Sequence, residues 1–374
     1  MTDFAVASVR TSPPKARLIL EDGSIFEGVS FGYPISRAGE VVFNTGMVGY
    51  PETLTDPSYF GQILVLTYPL IGNYGVPAHR MSGGILEHLE SRRIQVQGLI
   101  VAAASEEFSH WNSHRSLSRW LQAQKVPALS GVDTRTLTRK LREKGTMLGK
   151  IEFDGQSIPF YDPDQDNLVQ KVSIRKARTY GSGKLTIALL DCGCKENIVR
   201  SLLLRQVRVI RLPWDYDLRQ IEFDGLVISN GPGNPKMCRK VILQIRRLMF
   251  QNRPMLGICL GHQLMALAAG ANTFKLKYGH RGQNQPVQEK AHHRCFVTSQ
   301  NHGFAVDGHT LPDDWETWFV NLNDGTNEGM RHRERPFMSV QFHPEAAPGP
   351  VDTGFVFDEF LEMVRSESSR RDRE

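Results

Sequence analysis

One cysteine lies where the hydrophobic pattern of the chain changes from that of a strand to that of a helix. The apolar residues 255–258 lead into Cys259, and Leu260, Leu264 and Leu267 follow at helical spacing. The run G-I-C-L-G matches the nucleophile elbow G-x-S-x-G, a strained strand-to-helix turn that exposes the nucleophile. A cysteine at a helix N-terminus is favoured as the reactive thiolate. The stretch therefore predicts a nucleophilic cysteine, and a buried structural cysteine is the alternative for the motif alone.

A second stretch supplies the groups that such a nucleophile requires. The residues Phe342-His343-Pro344-Glu345 follow an apolar run over 337–341, which is typical of a strand. A nucleophilic cysteine needs a base to take its proton and a carboxylate to orient that base. The pattern therefore predicts a triad of Cys259, His343 and Glu345.

A glycine-containing loop follows a third apolar run, residues 226–229. Gly231-Pro232-Gly233 could be a simple turn, and by itself it indicates nothing more. Beside a nucleophile, however, glycines allow backbone N–H groups to approach a developing oxyanion. The N–H of Leu260, directly after the nucleophile, is the expected second donor.

The elements around these residues alternate regularly between strand and helix. Strands are expected over 185–190, 207–212, 226–229 and 255–258, with helices over 196–206 and 241–250. Such alternation indicates a mostly parallel central sheet flanked by helices, whose ligands bind beyond the carboxyl ends of the strands. Residues 273–341 are expected to contain shorter strands. A final helix is expected over 352–364, followed by a disordered charged tail.

The N-terminal half mixes strands and helices without regular alternation, so we predict a separate α/β domain over 16–153. It begins with a hairpin over 16–31 and contains helices over 117–124 and 135–144, the second capped by Asp133. Residues 154–183 are predicted to link this domain to a second domain over 184–366. Residues 367–374 form the charged tail, and Met1 to Arg17 is expected to be a flexible start.

Length and composition fit a two-domain globular protein of 374 residues. The net charge of +5 is spread along the chain, without a basic stripe interleaved with aromatic residues, so we expect no nucleic acid partner. No apolar run approaches the ~18 residues of a membrane helix. The five cysteines contain no C-x-x-C pair, which favours a reducing compartment and argues against zinc and disulfides. We expect no metal site, and His292-His293 is read as a solvated loop.

Taken together, residues 254–263, 229–235 and 342–345 resemble the class I, triad-type glutamine amidotransferases. The N-terminal half narrows the resemblance. Residues 39–50 (G-E-V-V-F-N-T-G-M-V-G-Y) and 54–59 (L-T-D-P-S-Y) are similar to the small subunit of glutamine-dependent carbamoyl-phosphate synthetase. Residues 131–135 and 299–306 are similar to the same family, and the likeness extends over nearly the whole chain. The resemblance implies a mixed α/β small-subunit domain followed by a class I glutamine amidotransferase domain.

The resemblance assigns roles to individual residues. Cys259 is implied as the nucleophile, His343 as general base and acid, and Glu345 as its orienting partner. The family's glutamine-binding positions fall on Ser58, Gly231, Gly233, Leu260, Gln263, Asn301, Gly303 and Phe304. Asn234 stands where many members have aspartate, and we expect the loop geometry to tolerate it. His302, in the same stretch, is expected to make local hydrogen bonds and not to act in catalysis.

The resemblance also implies partners. Such small subunits hydrolyse glutamine and pass ammonia to a large synthetase subunit or domain, which makes carbamoyl phosphate from bicarbonate and ATP. No cofactor is expected in this chain, and ATP and magnesium are expected in the synthetase partner. The resemblance leaves open the arginine or the pyrimidine pathway, and a separate or a fused synthetase. A cytoplasmic location is expected, with the mitochondrial matrix as the second choice. A cysteine hydrolase of another substrate and a regulatory subunit with a vestigial site are the competing hypotheses.

Overall fold

A computed structural model describes residues 14–371 of the chain. Most of the flexible start that the sequence predicts, residues 1–13, and the last three residues of the predicted tail lie outside the described residues. Within residues 14–371, no helix is both long enough and apolar enough to cross a membrane.

The first unit is organised around a closed barrel. In chain order, the strands of the whole unit are β1 (Lys15–Leu20), β2 (Ile25–Ser30), β3 (Arg37–Asn44), β4 (Gln62–Leu66), β5 (Leu70–Ile71), β6 (Val76–Pro77), β7 (Met81–Ser82), β8 (Ile85–Leu86), β9 (Gly98–Ile100), β10 (Ala103–Ala104), β11 (Ser113–Arg115), β12 (Ala128–Ser130) and β13 (Met147–Phe153). The order around the barrel is β1, β13, β3, β4, β9, β12 and β2. Closure leaves no unpaired sheet edge in this layer.

The barrel combines two kinds of strand pairing. Strands β3, β4, β9 and β12 pair in parallel, whereas β2, β1, β13 and β3 pair antiparallel. The helices of this unit are α1 (Tyr50–Thr55), α2 (Leu117–Ala123) and α3 (Thr134–Lys144). Asp133 caps α3 by accepting a hydrogen bond from the backbone of Thr136, as the sequence predicted. The predicted hairpin at the start of the domain is also present, as β1 and β2.

The second unit is built on a ten-stranded sheet. Its strands are β14 (Arg178–Tyr180), β15 (Thr186–Asp191), β16 (Arg208–Pro213), β17 (Gly225–Ile228), β18 (Met255–Ile258), β19 (Asn272–Glu289), β20 (Cys295–Asp307), β21 (Trp315–Asn321), β22 (Asn327–His332) and β23 (Phe337–Val340). The order is β14, β16, β15, β17, β18, β23, β22, β20, β19 and β21. Five neighbouring strands of this order, β16, β15, β17, β18 and β23, run parallel. The strands on either side, β14 and β22, pair antiparallel with them. The expected central parallel sheet is confirmed.

Helices cover both faces of the parallel strands. They are α4 (Val169–Val172), α5 (Glu196–Leu203), α6 (Arg239–Met249), α7 (Leu260–Ala269) and α8 (Phe355–Arg371). Apolar residues of α5 and α8 pack in one core with alternate residues of the strands, and those of α6 and α7 pack in a second core. Because both faces are covered, the central strands consist of nearly continuous apolar residues.

Three expectations differ from the structure. The region over 273–341 contains two long paired strands, β19 and β20, where short strands were expected. Helix α8 extends to Arg371, so the residues between 366 and 371 are helical where disorder was expected. The predicted linker also contributes to the second unit, because β14 pairs with β16 and Val169 is fully buried in a core. The first and third of these differences arise from pairing and packing with distant elements, which local composition does not show.

Candidate active site

Cys259 occupies the sharp turn between β18 and α7. Its backbone has φ 54° and ψ −103°, a strained conformation for a residue with a side chain. The two neighbouring glycines make the turn sterically feasible. A methyl group on Gly257 would lie 2.6 Å from the carbonyl oxygen of Gly261, and one on Gly261 would lie 2.1 Å from that of Ile228. The elbow that the motif predicted is therefore present, with the cysteine at the helix N-terminus.

His343 and Glu345 meet beside this turn, after the end of β23. The Nδ1 atom of His343 lies 2.6 Å from Oε1 of Glu345. The backbone N–H of Cys259 donates to the carbonyl of Val340 at 2.9 Å, so the turn and the end of β23 lie side by side. Among residues 14–371, no group forms a hydrogen bond with the other ring nitrogen of His343, Nε2, which is buried. It is therefore free to exchange a proton with the thiol or the substrate.

A buried lysine stabilises the carboxylate of this pair. Lys195 is 2 % exposed, and its Nζ donates to Oε1 of Glu345 at 3.0 Å and to the carbonyl of Ala346 at 2.5 Å. Burial lowers the pKa of Lys195, but Glu345, Glu90 and Asp56 raise it above its ordinary value. The raised pKa favours the charged form of Lys195, which contacts the same oxygen of Glu345 as the histidine does.

The charges of the pair shift both pKa values in opposite directions. Burial lowers the pKa of His343, but the carboxylate of Glu345 and the sulfur of Cys259 outweigh it and raise the pKa to about 10. Burial raises the pKa of Glu345, but Lys195 and His343 lower it to about 2. Both shifts favour the charged forms of the pair, an imidazolium ion beside a carboxylate.

The positions proposed for glutamine binding all border one cavity that reaches the cysteine. They are Ser58, Gly231, Gly233, Leu260, Gln263, Asn301, Gly303 and Phe304. Ser58 comes from the barrel domain and the others from the second unit, so the cavity lies between the two. The structure thus brings together every residue that the resemblance named, around Cys259.

Hydrogen bonds hold the polar side chains of the cavity in place. Gln263 Nε2 donates to the carbonyl of Phe304 at 2.8 Å and to Oε1 of Gln341 at 3.0 Å. Ser58 Oγ accepts from the side chain of Asn230 at 2.9 Å. Asn230 directly precedes the glycine loop, so this bond connects the barrel domain to the proposed oxyanion site.

Two models of known protein families match the chain. The model of the carbamoyl-phosphate synthase small chain, CPSase domain, matches residues 18–151, and that of class I glutamine amidotransferase matches residues 188–363. The arginine-specific small chain of carbamoyl phosphate synthase from Neosartorya fischeri is 49 % identical over 371 residues, which cover 96 % of this chain and 82 % of that protein. The chain belongs to the carbamoyl-phosphate synthase small-chain family. The resemblance seen in the motifs is confirmed.

Other relatives of the chain are much longer proteins. The multifunctional protein CAD of Squalus acanthias is 51 % identical over 357 residues, which cover 94 % of this chain but 16 % of that protein. The mitochondrial carbamoyl-phosphate synthase (ammonia) of Aquarana catesbeiana is 48 % identical over 371 residues, which cover 97 % of this chain and 25 % of that protein. The chain thus spans a quarter or less of these two relatives.

Sequence reasoning missed two charged residues of the small-chain site. Lys195 precedes α5, far from the motifs, and no local pattern distinguishes it from a surface lysine. Asp56 lies within the motif of residues 54–59 but drew no attention. Its carboxylate accepts hydrogen bonds from the side chains of Asn301 at 3.0 Å and Asn230 at 3.3 Å. The sequence showed an aspartate two residues before Ser58, but only the structure shows that it is buried.

Two buried histidines near the cavity, His280 and His302, take part in hydrogen bonds. His280, His302 and Glu328 offer ligand atoms within 4.8 Å of one another, a spacing that a metal could use. However, Oε1 of Gln300 lies 3.0 Å from Nδ1 of His280 and 3.1 Å from Nε2 of His302. His302 also bonds the carbonyl of Phe304 at 2.8 Å, the local role expected for it. We interpret this small-chain cluster as a hydrogen-bond network, and the absence of a metal site stays a prediction.

Proposed function

We propose that this chain is the glutaminase of a carbamoyl-phosphate synthase. It hydrolyses glutamine to glutamate and ammonia through Cys259, His343 and Glu345. The ammonia passes to a synthetase partner, a separate chain or a fused domain, which combines it with bicarbonate and ATP to form carbamoyl phosphate. The observation that carries the proposal is the strained Cys259 turn, which lies against the His343–Glu345 pair and borders a cavity lined by polar groups.

The proposed reaction follows from the charges of the site. The Cys259 thiolate attacks the side-chain amide carbon of glutamine, and the carbonyl oxygen gains the negative charge. The backbone N–H groups around Gly231 and Gly233, together with that of Leu260, are proposed to stabilise this oxyanion. The imidazolium of His343 then donates its proton to the departing nitrogen, which leaves as ammonia and a thioester remains.

Water completes the cycle. His343, now neutral, takes a proton from water as the water attacks the thioester carbon, and the thioester breaks to glutamate and the Cys259 thiolate. Glu345 holds the ring and stabilises its charged form in both halves of the reaction. Glutamine and water are the only reactants that these steps require. We propose that ATP and magnesium are used by the synthetase partner alone.

We further propose a division of labour along the chain. Residues 184–366 carry the glutaminase, residues 16–153 dock to the synthetase, and residues 154–183 join the two. Ser58 and Asp56 extend from the docking domain into the site, which gives docking a route to the oxyanion loop. The isolated chain is therefore expected to hydrolyse glutamine slowly and to be activated by its partner, within the usual coupling range of about 5- to 150-fold.

The product is proposed to serve arginine synthesis, pyrimidine synthesis or both, since relatives are named for the arginine pathway and for a multifunctional protein. A cytoplasmic location is our first proposal. The mitochondrial matrix is the second, because one relative's name includes that organelle. Imaging of the tagged full-length protein in its native host decides between the two.

A comparison of nitrogen sources tests the proposal. Cys259→Ser should abolish carbamoyl phosphate synthesis from glutamine by the complex and preserve synthesis from added ammonia. A glutamine-mimicking electrophile should label the wild-type chain at Cys259, which separates a working site from a vestigial one. Cleavage of peptides in preference to glutamine would favour the competing hydrolase hypothesis. Equal loss with both nitrogen sources would contradict the assignment of Cys259.

A further inference from the structure

A buried arginine in the proposed glutamine cavity forms no direct ion pair within the described part of the chain. Arg281 is 4 % exposed, and its Nη1 donates to the carbonyl of Tyr278 at 2.7 Å. Its Nε is buried without a hydrogen-bond partner. No carboxylate among residues 14–371 forms an ion pair with it. Because burying a charge is unfavourable unless it is paired, such a guanidinium is suited to receive an anion from outside the protein.

The fold directs Arg281 toward the substrate positions. It lies on β19 directly opposite Asn301 on β20, so both side chains project from the same face of the sheet. A methyl group on Gly303 would lie 3.2 Å from Nη2 of Arg281, so the guanidinium rests against that glycine. Arg281, Asn301 and Gly303 border the same cavity as Cys259.

The other charges that line the cavity are already paired with one another. Lys275 Nζ lies 2.6 Å from a carboxylate oxygen of Glu40 and 2.6 Å from one of Asp164. Glu40 also accepts hydrogen bonds from Gln62 at 2.9 Å and Thr146 at 2.8 Å. Two carboxylates thus contact one ammonium directly, and the positive charge of Arg281 also acts on Glu40 without a direct ion pair. Because Arg281 donates to the carbonyl of Tyr278 and to no carboxylate of the cavity, its remaining N–H groups can receive a carboxylate of the substrate.

We propose that Arg281 binds the α-carboxylate of glutamine and thereby selects the free amino acid. This inference rests on the proposed glutaminase function, and it names the residue that recognises the end of the substrate away from the reacting amide. A guanidinium can bind a carboxylate through two parallel hydrogen bonds. A glutamine whose α-carboxylate is blocked, as in L-glutaminamide or within a peptide, leaves that charge unpaired and is rejected.

Kinetics with two substrates test this role. Hydrolysis of the side-chain amide is measured with L-glutamine and with L-glutaminamide. The wild type, Arg281→Gln and Arg281→Lys are compared, each in complex with the synthetase. Arg281→Gln should raise the KM for glutamine about 10- to 100-fold, as expected for a lost hydrogen bond between charged groups. Its KM for glutaminamide should change little, so discrimination between the two substrates is lost. Arg281→Lys should recover part of it.

The matched control is Arg246→Gln, since Arg246 likewise donates to a backbone carbonyl, that of Ala268 at 3.0 Å, but lies outside the cavity. Equal losses with both substrates in Arg281→Gln would show a purely structural role and overturn the inference. Equilibrium binding of labelled glutamine to Cys259→Ser, with and without Arg281→Gln, separates this inference from the proposed function. Weaker binding in the double variant supports it even if no hydrolysis is found, and unchanged binding refutes it.

Discussion

Asp56 belongs to the barrel domain, but its carboxylate lies among polar groups of the second unit. It is 5 % exposed and accepts hydrogen bonds from the N–H of Ser58 at 2.9 Å and from the side chains of Asn230 at 3.3 Å and Asn301 at 3.0 Å. Asp56→Asn keeps the shape of the side chain but replaces one acceptor oxygen with an NH2 group. That group must then face the amide donor of Asn230 or Asn301.

The magnitude follows from this conflict. One buried donor that loses its acceptor costs about 1–3 kcal/mol. Asn301 lines the cavity and Asn230 precedes the oxyanion loop, so the cost should appear in the geometry of the site. If all of it does, kcat/KM for glutamine falls about 5- to 150-fold, since each 1.4 kcal/mol is a factor of about ten. Synthesis from ammonia does not use this geometry and should be preserved.

The assay is steady-state glutamate release by the complex, together with ammonia-supported synthesis and thermal unfolding of each variant. Asp307→Asn is the matched control. Like Asp56, Asp307 accepts a hydrogen bond from the N–H two residues further on, that of His309 at 3.1 Å, but it lies outside the cavity. If Asp56→Asn and Asp307→Asn had equal kcat/KM values for glutamine, Asp56 would have no positioning role. Loss of the ammonia-supported rate would show general damage to the complex.

Three further predictions concern the triad, a buried histidine and the elbow. Glu345→Gln removes the charge that raises the pKa of His343, while burial still lowers that pKa, so the alkaline limb of the pH profile of kcat/KM should move to lower pH. The loss of kcat/KM should be smaller than in His343→Asn. An alkaline limb that does not move would contradict the assigned roles. Burial lowers the pKa of His280, but neighbouring carboxylates raise it from 6.5 to about 9. Protonated His280 therefore stabilises the fold fully below pH 6.5, and this contribution is lost as pH rises through about 9. The free energy of unfolding should fall over this window in the wild type and fall less in His280→Gln. Parallel pH curves for the two proteins would refute this account. Gly261→Ala should lower the melting temperature and the glutaminase rate, because its methyl group would lie 2.1 Å from a backbone carbonyl oxygen. Gly308→Ala is the control, because the atom nearest to its methyl group would lie at 3.7 Å. Equal melting temperatures of the two variants would show that the elbow relaxes at no cost.

The local features of the chain were predictable from the sequence. Strand β18 covers residues 255–258, as the apolar run indicated, and the turn at Cys259 follows from the glycines beside it. The cap at Asp133 and the parallel strands of the second unit were equally visible. Each of these depends on residues that are close together in the chain, so a short pattern contains the information. The position of His343 and Glu345 beside Cys259 followed from the rule that strand ends meet at one sheet edge.

The barrel and the long strands were not predictable in this way. Closure of the barrel requires β1 to pair with β13, more than a hundred residues away, and β2 with β12. The extent of β19 and β20 depends on their pairing with each other and not on the preferences of either alone. Pairings over such distances leave no periodic signal in a single sequence.

The sequence by itself determined the family and predicted the proposed nucleophile, its base and the orienting carboxylate, because these depend on short motifs with a local backbone requirement. Only the tertiary structure decided which charges support them. Lys195, Asp56 and Arg281 come from three separate elements, and their sequence surroundings are ordinary. A charged side chain acquires its role when burial removes water and leaves it with particular neighbours. Those neighbours are distant in the chain, so their effect exists only once the fold has formed.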